Sequence, residues 1–295
     1  MKIAVIAHQG KTFGGGLDDL RRLLADEGHD KPIWYEVPKS RKAPKKVRKA
    51  RKDGADLVFV WGGDGMVQRC VDVLAGSDVT VAILPAGTAN LLASNLGIPQ
   101  DLPEAVRIGL HGARRRLDLG KLNGEHFAVM AGAGFDGASI RDADGDLKAR
   151  LGRLAYVWSG MRKVGDPAVR AEIRVDGEPW FNGQATCVLL GNVGKITGGI
   201  PAFPGARTDD GRLDVGVSTA QGALQWARTL GRMVTGEARR SPFVQTTRAT
   251  TVDVRLGAPM PYELDGGSRT STTRLKARAV PHAITFCVPD GPVHA

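Results

Sequence analysis

Cysteine is scarce: Cys70, Cys187 and Cys287 are the only three in 295 residues, odd in number and far apart. That excludes a disulfide framework and leaves no CxxC pair for zinc, which fits a reducing cytosol. Long apolar runs are missing too. The longest uncharged stretch, Val79 to Gln100, is broken by Pro85, Gly87, Thr88 and Asn90, so it reads as strand, loop and helix and not as a membrane span. The apolar run in Met1–Ala7 is too short for a signal peptide. Ser159, Ser218 and Ser241 have no nucleophile-elbow context, which argues against a serine hydrolase. His29, His111, His126, His282 and His294 have no metal-ligand spacing. Trp34, Trp61, Trp158, Trp180 and Trp226 read as packing residues.

Acid is absent from one segment where base is concentrated. Lys39 to Lys52 holds nine Lys and Arg in fourteen residues, and without them 32 basic residues face 31 acidic ones. The net charge of +10 thus belongs to one segment. No RNP, helix-turn-helix or zinc motif accompanies it, so no nucleic-acid partner is expected. The segment is open to two readings: a solvated helix, or a surface for anionic lipid head groups.

What is present is enough for two folded domains: 42% of the residues are apolar, and the length exceeds what one core usually serves. The first 120 residues alternate short apolar runs with helical patterns. Strands are expected at Ile3–Ala7, Ile33–Val37, Leu57–Trp61 and Val79–Leu84. Helices are expected at Leu17–Asp26, through the basic segment to Lys52, at Val67–Leu74 and from Leu91. Asp101-Leu102-Pro103-Glu104 has the form of a capping box. The alternation implies an α/β domain, Rossmann-like with a parallel sheet, whose ligands lie at the strand C-termini. From about 121 to 295 the rhythm becomes β-rich and antiparallel, with the last residues expected to pack back on the first domain. Hairpin turns are expected at Asn123-Gly124 and Asp176-Gly177. Strands are expected at Phe127–Ala131, Ala171–Val175, Thr186–Leu190, Leu213–Ser218, Thr251–Leu256 and Ile284–Val288, and helices near Gly145–Lys163 and Gly222–Val234.

Gly62-Gly63-Asp64-Gly65-Met66 follows a strand and opens a helix. Such a loop lets backbone N–H groups approach phosphate, and its acid argues for an intervening Mg²⁺; a tight turn with an Asp cap is the alternative. No GK[ST] follows, so it is not a P-loop. One βα unit later comes Pro85-Ala86-Gly87-Thr88-Ala89-Asn90, where Thr88 and Asn90 can bond phosphate or ribose. Two such loops on successive strands make a nucleotide-binding rim. Lys11, after His8 at the end of the first strand, is placed for a phosphate contact.

At these residues the sequence resembles the diacylglycerol kinase-like lipid kinases, including the bacterial soluble diacylglycerol and sphingosine kinase-like proteins. Their GGDGT loop matches Gly62–Met66 and their P-x-GTxN loop matches Pro85–Asn90. Further blocks follow in order: Ala131–Asp136, Gly152–Tyr156, Gly191-Asn192, Gly198-Gly199, Pro204 to Asp214, and Leu264-Asp265-Gly266. The resemblance implies ATP and Mg²⁺ in a cleft between the domains, and γ-phosphoryl transfer to a lipid hydroxyl such as that of diacylglycerol. It implies that Gly62, Gly63, Asp64, Gly65, Gly87, Thr88 and Asn90 hold the nucleotide, that Asp64 organises the nucleotide and its metal in the catalytic site, and that Asp136 is the catalytic base; Lys11 joins the nucleotide-binding set by its position alone. It also implies a second, structural metal at Asp210 and Asp214, which otherwise read as an ordinary Asp-Gly turn. A soluble enzyme of this kind would sit at the cytoplasmic face of the membrane, and the resemblance leaves room for a homodimer. Departures stand beside the matches: Gly267 replaces the usual Glu after the late Asp-Gly, Leu91 an acid, Met66 a Thr, and Ala7-His8-Gln9-Gly10-Lys11 the opening Asn-Pro-x-x-Gly of many members. Two alternatives remain: a soluble-metabolite kinase of the NAD kinase type, and a nucleotide-binding membrane-surface protein with little or no turnover.

Overall fold

A computed structural model describes residues 1–134, 168–196, 200–234 and 241–291. The chain forms two compact units, Met1–Asp118 with His282–His294, and Leu119–Pro281.

The first unit is built on β1 (Ile3–His8), β2 (Ile33–Val37), β3 (Leu57–Gly62) and β4 (Thr80–Pro85). They pair in parallel in the order β2-β1-β3-β4, and the end of the last strand, β16 (Gly267–Val288), joins beside β4 through Thr285 and Phe286. Every residue of β3 is buried, as are the first five of β1; strands covered on both faces need continuous apolar runs, so no alternation appears in their sequences. The crossovers are α1 (Gly16–Asp26), a 3-10 turn at Ser40–Lys42 leading into α2 (Ala43–Lys52), α3 (Asp64–Leu74), the short α4 (Leu91–Asn95) and α5 (Leu102–His111). α2 packs on α3, and α1 on α5. At the start of α5 half of the expected capping box forms. Asp101 Oδ1 accepts the Glu104 N–H at 2.9 Å, but the Glu104 carboxylate turns to Arg107 at 2.6 and 2.7 Å.

The second unit is antiparallel throughout its described pairings. β5 (Ala113–Leu122) leads in from the first unit and turns through Asn123-Gly124 into β6 (Glu125–Phe127). There follow β7 (Met130–Ala133), β8 (Val169–Val175), β9 (Glu178–Ala185), β10 (Cys187–Gly191), the two-residue β11 (Lys195–Ile196) and β12 (Ile200–Pro201), β13 (Leu213–Ser218), α6 (Gly222–Val234), β14 (Val244–Ala249) and β15 (Thr251–Leu264). The order is β14-β13-β10-β7-β15-β16, with β8 and then β9 added along β15. Register shifts between Arg255 and Tyr262, around Pro259 and Pro261, let one strand pair β8 with its first half and β7 with its second. Both expected hairpin turns have two positive-φ residues, Asn123 (47°) with Gly124 (97°) and Asp176 (49°) with Gly177 (88°).

The sequence expectations understate this unit. β9 and β14 are additional strands, and β16 runs 22 residues where only its last five were expected. The reason is composition: Gly267–Arg274 is polar and largely exposed, with no apolar alternation until Leu275, Ala277 and Ala279. The helix expected near Gly145–Lys163, and the Gly152–Tyr156 and Gly198-Gly199 blocks, lie outside the described residues.

Candidate active site

β3 ends at Gly62 and Gly63 caps α3 with extended backbone and no side-chain cap, its carbonyl accepting the N–H groups of Met66 (2.8 Å) and Val67 (3.1 Å). The N–H groups of the first turn are therefore left to other partners. Gly65 lies in that turn with its amide unpaired among the described residues, and a Cβ built on it meets nothing within 4 Å. Asp64 does not point away from the protein. Its Oδ1 accepts the N–H of Leu92, at the start of α4, at 3.3 Å, so the acid of the first loop ties down the helix that follows the second.

The two loops touch through bare backbone. A Cβ on Gly63 would stand 3.0 Å from the Cα of Gly87, and one on Gly87 would meet Asn90 Oδ1 at 2.6 Å and collide with Gly63. Glycine is required at 87 by this approach alone, whereas at 65 the space is open. The ladder continues into the loops, with Gly62 opposite Pro85 and the Ala86 N–H donating to Gly62 O at 3.1 Å.

Asn90 differs from its expected role. It has left-handed backbone (φ 47°, ψ 48°), is only 4% exposed, and directs its whole amide onto its own loop. Oδ1 accepts the Gly87 N–H at 2.9 Å, while Nδ2 donates to Pro85 O at 3.0 Å and Gly87 O at 2.8 Å. With both amide hydrogens engaged, Asn90 has no donor left for phosphate or ribose in this arrangement; it shapes the loop. Thr88, by contrast, is exposed at the tip, and its hydroxyl has no partner among the described residues.

Lys11 is exposed in the turn after β1, and its backbone is anchored by the Trp61 indole, whose Nε1 donates to Lys11 O at 3.1 Å. Its ammonium forms no ion pair among the described residues. His8 ends β1, its Nδ1 accepting the Gly10 N–H at 3.1 Å; burial first, and then the Lys11 charge, hold its pKa below the ordinary value. The first unit thus brings Lys11, Gly62, Gly63, Asp64, Gly65, Gly87, Thr88 and Asn90 together at the C-terminal edge of its parallel sheet.

In the second unit, Asp265 is 3% exposed and accepts three backbone N–H groups, those of Ala128 (2.8 Å), Val129 (2.9 Å) and Met130 (2.9 Å). Asn192 closes on the same segment, its Nδ2 donating to Ala128 O and its N–H to Val129 O, each at 2.9 Å. Two of the motif blocks therefore converge on the entry to β7, and β7 leads to Asp136, which itself lies outside the described residues. Next to this clamp, Arg269 holds Glu125 through Nε at 2.9 Å and Nη2 at 2.7 Å, and its Nη1 donates to Gly267 O at 2.8 Å. Asp210 and Asp214, expected to ligate a metal, flank Arg248. Asp210 Oδ2 pairs with Nη2 of that guanidinium, and Asp214 Oδ2 lies 3.6 Å from its Nε. The cation already between these acids supplies the charge compensation an ion would bring, and among the described residues no group of three or more His, Cys, Asp or Glu gathers to hold one.

Comparison with known proteins matches two successive regions of the chain. Residues 7–122 match the family described as diacylglycerol kinase catalytic domain, and residues 129–288 match the YegS C-terminal NAD kinase beta sandwich-like domain. The diacylglycerol kinase of Bacillus subtilis is 31% identical over 217 residues, covering 72% of this chain and 71% of that one. A probable lipid kinase YegS-like protein of Pseudomonas fluorescens is 30% identical over 251 residues, covering 84% and 82%. In fold, the chain is similar to a putative diacylglycerol kinase from Bacillus anthracis, with a TM-score of 0.79 at 24% identity over 98% of this chain and 97% of that one. It is more distantly similar to an NAD kinase from Archaeoglobus fulgidus, with a TM-score of 0.54 at 10% identity, covering 98% and 94%. With relatives at this identity along most of its length and both domain models matched in order, the chain belongs to the diacylglycerol kinase-like lipid kinases, a family of phosphotransferases.

Proposed function

We propose that this protein transfers the γ-phosphoryl group of ATP to a lipid hydroxyl, with diacylglycerol as the first acceptor to test. The observation that carries the reading is the pair of glycine loops, locked to each other at Gly63 and Gly87 and through Asp64, with open space over Gly65. Phosphoryl transfer asks mainly for positioning and charge neutralisation. The Gly65 N–H at the N-terminus of α3, the Thr88 hydroxyl and the Lys11 ammonium are donors of the kind that hold phosphate oxygens. Asp64 is the one carboxylate the two loops supply, and Mg²⁺ is commonly held by one or two carboxylates together with substrate phosphates. When bound, Mg²⁺ would neutralise phosphate charge; Asp64 would hold it directly or through water. Asp136 would accept the proton of the acceptor hydroxyl, without the second carboxylate that Gly267 removes.

The test is to incubate the protein with labelled ATP, Mg²⁺ and a total lipid extract and to identify phosphorylated products by mass spectrometry. Transfer to an extractable lipid is expected, and loss of transfer in Asp64→Asn and Asp136→Asn variants that still fold. Conversion of NAD⁺ to NADP⁺ with no lipid product would replace this reading by the NAD kinase alternative. Tight ATP binding with no acceptor phosphorylated would replace it by a binding role without turnover.

A further inference from the structure

Nine cations lie between Lys39 and Lys52, and the fold makes almost no use of them. α2 buries Ala43, Val47 and Ala50 against the first unit and turns its basic side chains outward. Lys49 meets Asp53 at 3.2 Å, and the Lys46 and Lys49 ammonium groups lie 4.8 and 5.4 Å from the Tyr35 ring centroid. Lys39, Arg41, Lys42, Lys45, Arg48, Arg51 and Lys52 are exposed and have no acidic partner among the described residues. At the N-terminal end their placement opposes helix stability, whereas Lys49, Arg51 and Lys52 in the last turn suit the dipole. The first turn of α2 has no acid and no side-chain cap, so Arg41, Lys42 and Lys45 face the positive end of the helix dipole. Pairs such as Lys45–Lys49 and Arg48–Lys52 set like charges four residues apart. A charge that weakens its own helix calls for an anion outside the chain.

The location says which edge of the unit that anion would meet. The end of β2 lies beside the turn that carries Lys11, since the Gln9 N–H donates to Val37 O at 3.0 Å. The 3-10 turn Ser40–Lys42 and α2 both pack on α3, whose first residue is Asp64. The basic turn and the start of α2 therefore share the C-terminal sheet edge with the glycine loops.

We propose that Lys39–Lys52 is a docking surface for an anionic lipid bilayer, which holds the glycine-loop edge of the first unit towards the membrane. The choice of a bilayer over another polyanion rests on the lipid-kinase reading, because the acceptor of that reaction resides in a membrane. The chemistry agrees: α2 exposes no apolar or aromatic side chain to insert or to stack on bases, so contact is with head-group charge alone. Such attraction decays within a Debye length of about 10 Å at 0.1 M salt, and binding is therefore salt-sensitive.

The test is co-sedimentation of the full chain with vesicles of phosphatidylcholine alone and of phosphatidylcholine with a minority of phosphatidylserine. Wild type binds the anionic vesicles, releases as salt rises, and ignores the neutral ones. The triple variant Arg41→Gln, Lys42→Gln, Lys45→Gln binds about 100-fold more weakly, while its thermal melt is unchanged or raised. A control with the same loss of charge elsewhere, Arg255→Gln, Lys276→Gln, Arg278→Gln, binds like wild type. Equal binding by the Lys45 triple variant, equal loss in the control, or stronger binding to a single-stranded oligonucleotide at matched phosphate concentration would each overturn the proposal. Phosphorylation of short-chain diacylglycerol in uncharged detergent micelles reads the kinase function separately and should be equal in wild type and variant. Charge-dependent vesicle binding without micelle activity would sustain the docking surface while sinking the lipid-kinase reading.

Discussion

Replacing Asn90 separates a loop-shaping role from a ligand contact. Its amide makes three hydrogen bonds within Pro85–Asn90, at 2.8, 2.9 and 3.0 Å, from a left-handed backbone at φ 47°. Each bond contributes about 1 kcal/mol net. Alanine removes all three and adds about 1 kcal/mol for a side chain in left-handed backbone, so Asn90→Ala should cost about 3–4 kcal/mol. Glycine loses the same bonds without the backbone penalty and should be about 1 kcal/mol milder. Aspartate keeps the acceptor for the Gly87 N–H but turns an anion towards two carbonyl oxygens, and should be the worst of the three. The ranking Gly, Ala, Asp in order of increasing damage is specific to a side chain that donates twice and accepts once.

Urea unfolding of the three variants measures this, with ATP affinity by calorimetry alongside. The expected result is a stability loss in the stated order, with ATP affinity falling because fewer molecules hold the loop in its binding form. If Asn90 were instead a direct phosphate or ribose ligand, its variants would keep wild-type stability and lose only affinity. That outcome would refute the reasoning.

Three further expectations follow from neighbouring geometry. Gly65→Ala should leave unfolding within about 1 kcal/mol of wild type, because its Cβ has open space, yet weaken ATP binding; Gly87→Ala, which drives a Cβ into Gly63, should destabilise by about 1–3 kcal/mol. Arg248→Ala leaves Asp210 and the buried Asp214 facing each other and should cost about 3 kcal/mol, and the variant's melting temperature, unlike that of wild type, should rise on adding Mg²⁺. The Thr250 hydroxyl, with the N–H groups of Thr250 and Thr251, holds the Asp176 carboxyl below its ordinary pKa. A lowered folded-state pKa contributes stability above the unfolded value of about 3.9, and that contribution is lost as pH falls through the folded value. Asp176→Asn should therefore be less stable than wild type at neutral pH, and the two denaturation curves should approach each other as pH falls through the lowered folded-state value.

A feature of this fold is legible in the sequence where its signal is local. The strands of the first unit announce themselves as unbroken apolar runs such as Leu57–Trp61, because both faces are covered. Asn123-Gly124 and Asp176-Gly177 were readable as turns because the dipeptide itself accepts positive φ. β16 was not, since its polar first half is held by pairing to β15 and not by any pattern of its own. The glycine loops were recognisable as loops, but the bond from Asp64 to the Leu92 N–H joins residues 28 apart in sequence, and spacing does not show it. The clamp of Asp265 on residues 128–130 is longer-range still; its one local trace is the Asp-Gly turn that follows Leu264.

Asp-Gly recurs in this chain, and its occurrences show why a dipeptide does not define a role. At Asp64-Gly65 the carboxylate binds a helix start and the glycine leaves space. At Asp176-Gly177 the pair makes a hairpin whose acid reaches Thr250. Asp210-Gly211 faces Arg248, and Asp265-Gly266 closes a nest of three N–H groups. In each case the partner groups decide the function, and the same holds for Gly267, the residue after the last of these turns. A Cβ there would stand 2.9 Å from Arg269 Nη1 and 3.2 Å from Leu264 O. Arg269 is fixed in that place by its two bonds to Glu125 and a third to Gly267 O. A glutamate at 267 would compete with Glu125 for the same guanidinium.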